Sequence, residues 1–209
     1  MDSLILQEAP ILFIAGLAVS LVATAITQSW IVATSIPLVP MILFFLYRAP
    51  GRTSPSGPED IVSPVDGIIE EIKEHQDTVE IVFYVHELDP QIQWIPFEGK
   101  IKSIKEEGNA MKMNLMRYDS RHLENNQRVT TTINTARGPI IVEQIRSVAS
   151  YQSDVFPEVS DSVTRSSHLG YMMFPARIDM IIPKSASLSI HAGERVQGGK
   201  TVIAQFKSV

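Results

Sequence analysis

No charged side chain occurs between Glu8 and Arg48, and every lysine and arginine of the chain lies from Arg48 onward. A charge-free run of that length splits the sequence into an apolar leader and a polar body. A helix that crosses a bilayer needs roughly 20 apolar residues, so Ala9 to Tyr47 reads as two short spans, Ile11–Thr27 and Ile31–Tyr47, turning at Gln28-Ser29-Trp30. Pro37 and Pro40 predict a kink or a re-entrant shape in the second run, while Trp30 and Tyr47 fall where interfacial aromatics belong. A cleaved signal peptide fits poorly, because no basic residues precede the run and it outlasts the usual apolar core of a signal. Arg48 and Arg52 follow it directly, which by the positive-inside rule puts the rest of the chain on the cytoplasmic side of the cell membrane. The expected division is a membrane hairpin over 1–48, a Pro, Gly and Ser linker over 49–59 and a folded domain over 60–209.

The body is β-patterned. Ile68–Ile72, Val79–Val85, Val129–Thr135, Pro139–Ile145, Arg177–Ile182, Leu188–His191 and Val202–Phe206 are short runs rich in β-branched and apolar residues, separated by Gly, Pro and Asp turns. Arg137-Gly138 predicts a hairpin turn. The Asp66-Gly67 and Glu98-Gly99 units and the closing Gly193–Gly199 turn are similar to the hairpins of biotinyl/lipoyl-type domains, without the lysine that such carriers modify. The expected fold is therefore mostly β, a sandwich or barrel of short strands behind a two-span helical segment. A formal charge of -5 argues against nucleic acid as a partner. With no cysteine there is no thiolate ligand or thiol nucleophile. His75, His122, His168 and His191 are scattered, with no paired metal-ligand spacing, so no metal is expected.

Two stretches carry the chemical information. Ser63-Pro64-Val65-Asp66-Gly67 is on its own a turn whose carboxylate caps backbone amides. Gly170-Tyr171-Met172-Met173-Phe174-Pro175-Ala176-Arg177-Ile178-Asp179 leads into an apolar strand that ends at Pro183. Together they resemble the phosphatidylserine decarboxylase family, in its short membrane-anchored and archaetidylserine-type form. The first matches that family's Ser-Pro-x-Asp-Gly turn and the second its self-processing segment, Phe-Gly-Ser-Arg-x-Asp. The resemblance implies that Asp66 belongs to a catalytic Asp-His-Ser set and that the serine becomes a pyruvoyl group, the electron sink for loss of CO2.

The sequence departs from that pattern at the reactive positions. Pro175-Ala176 replaces Gly-Ser, so the nucleophile is lost at Ala176. The family's histidine position, counted back from Pro96-Phe97-Glu98-Gly99, is Gln91. His86, five residues upstream, points to the other face of a regular strand, which leaves it a weak substitute as base. Asn126-Gln127-Arg128 echoes an Asn-Glu-Arg element with its carboxylate changed to an amide; Arg128 and Arg177 are the candidate substrate-binding residues. Ser166-Ser167-His168 offers a hydroxyl beside an imidazole, though neighbours on a strand diverge. The expectation is an uncut, membrane-attached family member with no pyruvoyl or other cofactor. It would bind a membrane phospholipid head group, pair with itself, or regulate an active paralogue. A decarboxylase working through a variant site and a carrier-like scaffold at the membrane remain as alternatives.

Overall fold

The computed structural model describes residues 4–29, 31, 38, 48, 50–55, 57–86, 88–109, 123, 125–148, 150, 153–172, 174–175 and 177–207, with side chains from Ile14 onward. The chain forms two compact units, Met1–Pro50 and Gly51–Val209.

In the first unit, helix α1 runs over Leu4–Thr27. It ends where Gln28 takes a left-handed φ of 49° and its N–H bonds the Thr24 carbonyl at 2.8 Å, the geometry of a helix C-cap. Ile14, Leu17, Val19, Leu21, Val22 and Ile26 are exposed, whereas Ser20 is buried and Gly16, Ala23 and Thr24 are half-buried. The expected two-span membrane segment is not what the structure gives. Among the described residues no helix is long and apolar enough to cross a membrane. Of the second expected span only Ile31 and Leu38 are described; Trp30, Pro37, Pro40 and Tyr47 lie outside the described residues.

The second unit is mostly β, as the patterning requires. Its strands are β1 (Asp60–Val62), β2 (Gly67–Glu74), β3 (Thr78–Tyr84), β4 (Ile92–Trp94), β5 (Gly99–Glu107), β6 (Arg128–Thr135), β7 (Gly138–Ile145), β8 (Ser153–Val155), β9 (Ser162–Val163), β10 (His168–Met172), β11 (Arg177–Pro183), β12 (Ala186–Leu188), β13 (Arg195–Val196) and β14 (Val202–Phe206). Eight of them form one sheet in the order β13-β2-β3-β11-β7-β6-β5-β9. Every pairing in it is antiparallel, and bulges in β2 and β5 curl it. Two three-stranded sheets, β1-β14-β12 and β4-β10-β8, complete the unit.

Alternation along the strands decides which face is dry. Ile178, Met180 and Ile182 of β11 pack with Ile81, Phe83, Ile133, Ile140 and Val142 in one core, all fully buried. The opposite face of the same strands carries Glu80, Glu143, Arg177 and Asp179. At the β6–β7 turn, Gly138 has a φ of 117° and the Thr135 hydroxyl donates to its carbonyl at 2.6 Å. The strand expected at Leu188–His191 is instead β12, ending at Leu188.

Residues 51–59 fold onto this unit. Arg165 donates to Ser54 Oγ at 2.9 Å and to the carbonyls of Pro55, Gly57 and Asp60 at 2.6–2.8 Å, and Glu59 pairs with Arg137 of the β6–β7 turn. Trp94 is clasped between two turns. Its main-chain N–H donates to the Pro64 carbonyl at 2.8 Å, and Gly198 and Gly199 lie against its ring so closely that a Cβ on Gly198 would collide with it. Gly198→Ala is therefore expected to cost about 1–3 kcal/mol by overpacking a fully buried indole, read as a lowered denaturation midpoint with an unchanged denaturant slope.

Candidate functional site

Asp66 is set by the turn that precedes β2. Ser63 Oγ donates to the Val65 carbonyl at 2.7 Å, and Pro64 limits the backbone, so the carboxylate is delivered inward and buried. Arg52 meets it with two bonds from one nitrogen, 2.7 and 3.0 Å, while its guanidinium stacks 5.3 Å from the centre of the Trp94 ring. The main-chain N–H of Gly198 also favours the charged carboxylate. Burial nevertheless raises the Asp66 carboxyl above its usual range: the Arg52 charge opposes the shift and the nearby Asp89 charge adds to it. Arg52, read from the sequence as a topology signal, is thus engaged with Asp66 of the β domain.

Gln91, the position to which the resemblance assigns a histidine, is fully buried and both ends of its amide are used. Its Nε2 donates to the carbonyls of Asp89 at 2.6 Å and His86 at 3.2 Å, and its Oε1 accepts the N–H of Phe174 at 2.8 Å. Position 91 therefore touches the segment two residues ahead of position 176. Ala176 itself lies outside the described residues. His86 is exposed, and its Nδ1 accepts the N–H of Leu88 at 3.2 Å within its own turn. Asp89 caps that turn through the His86 N–H at 3.2 Å and pairs with Arg195.

Phe174 holds a left-handed φ of 48°, a strained value for an aromatic residue. Three side chains hold it there: Gln91 on its N–H, and the hydroxyls of Ser147 and Ser150, each donating at 2.8 Å to its carbonyl. The two serine oxygens are 3.2 Å apart. Sequence reasoning missed both serines. The available signal was a pair of hydroxyls three residues apart just past a strand end, which by itself says nothing about a partner 24 or 27 residues away. The Ser166-Ser167-His168 pair is not assembled as a nucleophile and base. Both hydroxyls donate to backbone carbonyls, of Gly199 at 2.7 Å and Thr164 at 2.6 Å, and the His168 ring packs edge-on to Trp94.

Arg177 and Asp179 form a buried ion pair on the outer face of the central strand, and the Arg177 guanidinium lies 3.9 Å from Glu80. Burial pushes the Asp179 carboxyl up to about 7; Arg177 opposes the shift, while Glu80 and Glu143 add to it, and among the described residues Oδ1 meets no hydrogen-bond partner. Glu80 goes the other way: burial raises it, but bonds from His75 and Lys73 outweigh that. Arg128 pairs with Glu143 at 3.3 Å on the rim of an open pocket of ≈ 580 Å³ lined also by Glu107, Gly108, Asn109 and Asn125. The neighbouring Asn126 is buried and donates to the Arg146 carbonyl at 2.7 Å. Of the candidate residues, Gln91 alone is seen to touch Phe174, and it also bonds the His86 carbonyl; Asp66 sits apart with Arg52, and Arg128 and Arg177 lie along the outer face.

The model of the family described as phosphatidylserine decarboxylase matches residues 42–204, well over half of the chain. The chain belongs to the phosphatidylserine decarboxylase family. It is 26% identical over 193 residues to the phosphatidylserine decarboxylase proenzyme of Chlorobium phaeobacteroides (strain BS1), covering 90% of this chain and 89% of that protein. It is also 26% identical over 215 residues to the enzyme of the same name in Syntrophus aciditrophicus (strain SB), covering 98% and 99%. A protein of Methanosarcina mazei provisionally named archaetidylserine decarboxylase proenzyme is 27% identical over 168 residues, covering 80% and 76%. Membership places the chain among the proteins of phospholipid metabolism.

Two measurements check this geometry. Removing both hydroxyls, S147A with S150A, leaves the Phe174 carbonyl without its side-chain donors; a loss of about 1–3 kcal/mol in denaturant unfolding is expected, with faster protease cleavage near 174. Asp179, raised in the fold above its unfolded value of 3.8, destabilises the chain progressively as pH climbs from there towards 7. Relative to wild type, the thermal midpoint of D179N should therefore move in the variant's favour by on the order of 5 °C between pH 4 and pH 8. A pH-independent gap between the two would contradict the assignment.

Proposed function

We propose that this member of the phosphatidylserine decarboxylase family stays one uncut chain and binds phospholipid head groups at the cytoplasmic surface of the cell membrane instead of decarboxylating them. The observation that carries this reading is what stands at the two reactive positions. Ala176 bears a methyl group where the family has a hydroxyl. Gln91 stands where the family has its imidazole, and both ends of its amide are already hydrogen-bonded to backbone. An amide does not take up a proton near neutral pH and so cannot serve as the base.

The residues present do not fit the family's pyruvoyl group. Ala176 has no oxygen from which the group could form. Pro175 holds its φ near −65°, where the family's glycine is free. The main chain just before it, at Phe174, is pinned by three side chains. Head-group binding is supported by the polar pocket at Arg128, whose guanidinium suits a phosphate, with Glu143 beside it to receive an amine. Attachment to the bilayer surface is supported by the apolar side chains that α1 exposes, and Arg48 supports the cytoplasmic side. Pairing with a second copy or with an active relative is a role open to such an uncut chain.

Intact mass of the purified full-length protein tests the first half: a single polypeptide near 23.2 kDa is expected. Two fragments with a carbonyl-blocked new terminus, and CO2 released from a serine phospholipid, would instead mean a decarboxylase that reaches its cofactor by another route. Co-sedimentation with vesicles tests the second half. Binding that increases with aminophospholipid content is expected, and indifference to lipid would leave a scaffold.

A further inference from the structure

The Asp66 carboxylate and the Trp94 indole form a socket around a cation supplied by the chain itself. Arg52 reaches in from an exposed stretch, Gly51 and Thr53 on either side of it being open to solvent, yet its own side chain is only 13% exposed and that of Asp66 only 7%. A carboxylate against one side of a cation and an aromatic face against another is how proteins recognise organic ammonium and guanidinium groups. The wall is closely packed: Gly198 and Gly199 press on the indole. The fit of Arg52 is incomplete, since among the described residues its buried Nε meets no hydrogen-bond partner, and neither does Nε1 of Trp94. An ammonium on a short alkyl stem places its charge in the same socket without a buried Nε to leave unpaired.

We infer that Asp66 and Trp94 form a binding site for the ammonium of an amino-alcohol head group, and that Arg52 of the linker is its resident occupant, a displaceable plug. The inference rests on the reading of an uncut chain, in which Asp66 has no catalytic partner to serve. Charge also sets selectivity. Asp66 is a buried carboxylate, so a head group that carries its own carboxylate, as serine does, is repelled where an ethanolamine-type amine is accepted.

The test uses the full chain carrying W30F, which leaves Trp94 as the single tryptophan. In that background, R52A vacates the socket. Ethylammonium and methylguanidinium at matched ionic strength should quench or shift Trp94 fluorescence saturably and raise the thermal midpoint of R52A. L-serine should bind at least tenfold more weakly, and R52A combined with D66N should respond to none of them. The parent with Arg52 in place should respond at least tenfold more weakly than R52A. If R52A folds only when one of these cations is present, that also supports the site. A second pair guards against simple loss of packing: R52K, which keeps a cation on an alkyl stem, should stay close to the parent in thermal midpoint, and R52M, apolar and similar in length, should fall well below it. A folded R52A with no saturable response, a response unchanged by D66N, an R52A chain unfolded with and without the cations, or equal midpoints for R52K and R52M would each overturn the inference. The probes are soluble amines and the readout is local to Trp94, so failure here leaves the intact-mass and vesicle results unaffected, and a cut chain in those leaves this result to be read by itself.

Discussion

The arrangement of the site turns on one buried amide. Gln91 ties the loop after β3 to itself through its Nε2 and to the main chain at Phe174 through its Oε1. A buried polar group of this kind is favourable only if every arm is satisfied, and removing one partner exposes the full desolvation cost of the others. Here all the arms are met, and the amide belongs to a longer buried series. Gln93 donates to the Gln91 carbonyl at 2.9 Å, and Gln144 of β7 donates to Gln93 at 2.8 Å. That series runs from the loop through β4 to the central sheet, so the position of Phe174 is fixed relative to β7 and β11 as well as to its sequence neighbours. The serine hydroxyls at 147 and 150 hold the other end of the same residue. With both its N–H and its carbonyl bonded to side chains, Phe174 can keep a left-handed φ that costs of order 1–3 kcal/mol in isolation.

Two buried carboxylates, each facing one arginine, set the electrostatics of the domain. Asp66 and Asp179 are both raised by burial, and in neither case does the arginine overcome the loss of water. Their surroundings differ in what they allow. Asp179 sits on the central strand, where Glu80 and Glu143 from the flanking strands crowd it and Arg177 cannot leave without repacking the sheet. Asp66 sits at a turn, and its arginine comes from a linker held mainly by Arg165 and the Glu59–Arg137 pair. The first pair therefore acts as a fixed part of the sheet, and the second as a joint between the linker and the β domain.

Much of the sheet was legible because its signals are local. Alternation gave β2, β3, β6, β7 and β14, the apolar run after Arg177 gave the buried central strand, and Arg137-Gly138 gave a hairpin turn. The Ser-Pro-x-Asp-Gly turn located Asp66, and the count back from Pro96 brought Gln91 to the segment where it is found. What stayed hidden depends on distant pairing. Nothing near Arg52 in sequence marks it as the partner of Asp66, and positive charge after an apolar run reads more simply as a topology signal. Strands β4, β8 and β10 are short and lean on one another, so none has a pattern long enough to stand out. At the N-terminus apolar composition alone suggested two crossings, whereas among the described residues no helix is long and apolar enough to cross a membrane.

Taken together, the substitutions at the site change what kind of object it is. An imidazole beside a hydroxyl is a proton-transfer device, and it works only if one of its nitrogens is left uncommitted. An amide in the same place has one donor end and one acceptor end, and this chain commits both to backbone. Hydroxyls that donate to a carbonyl oxygen stabilise that carbonyl in its ground state, so Ser147 and Ser150 make the Phe174 peptide more comfortable as it is. On the proposed reading of an uncut chain, these contacts clamp the segment at Phe174 instead of preparing it to react. On that reading Asp66 has a cation to hold and no proton to relay, and the arginine found on it is the one the linker delivers.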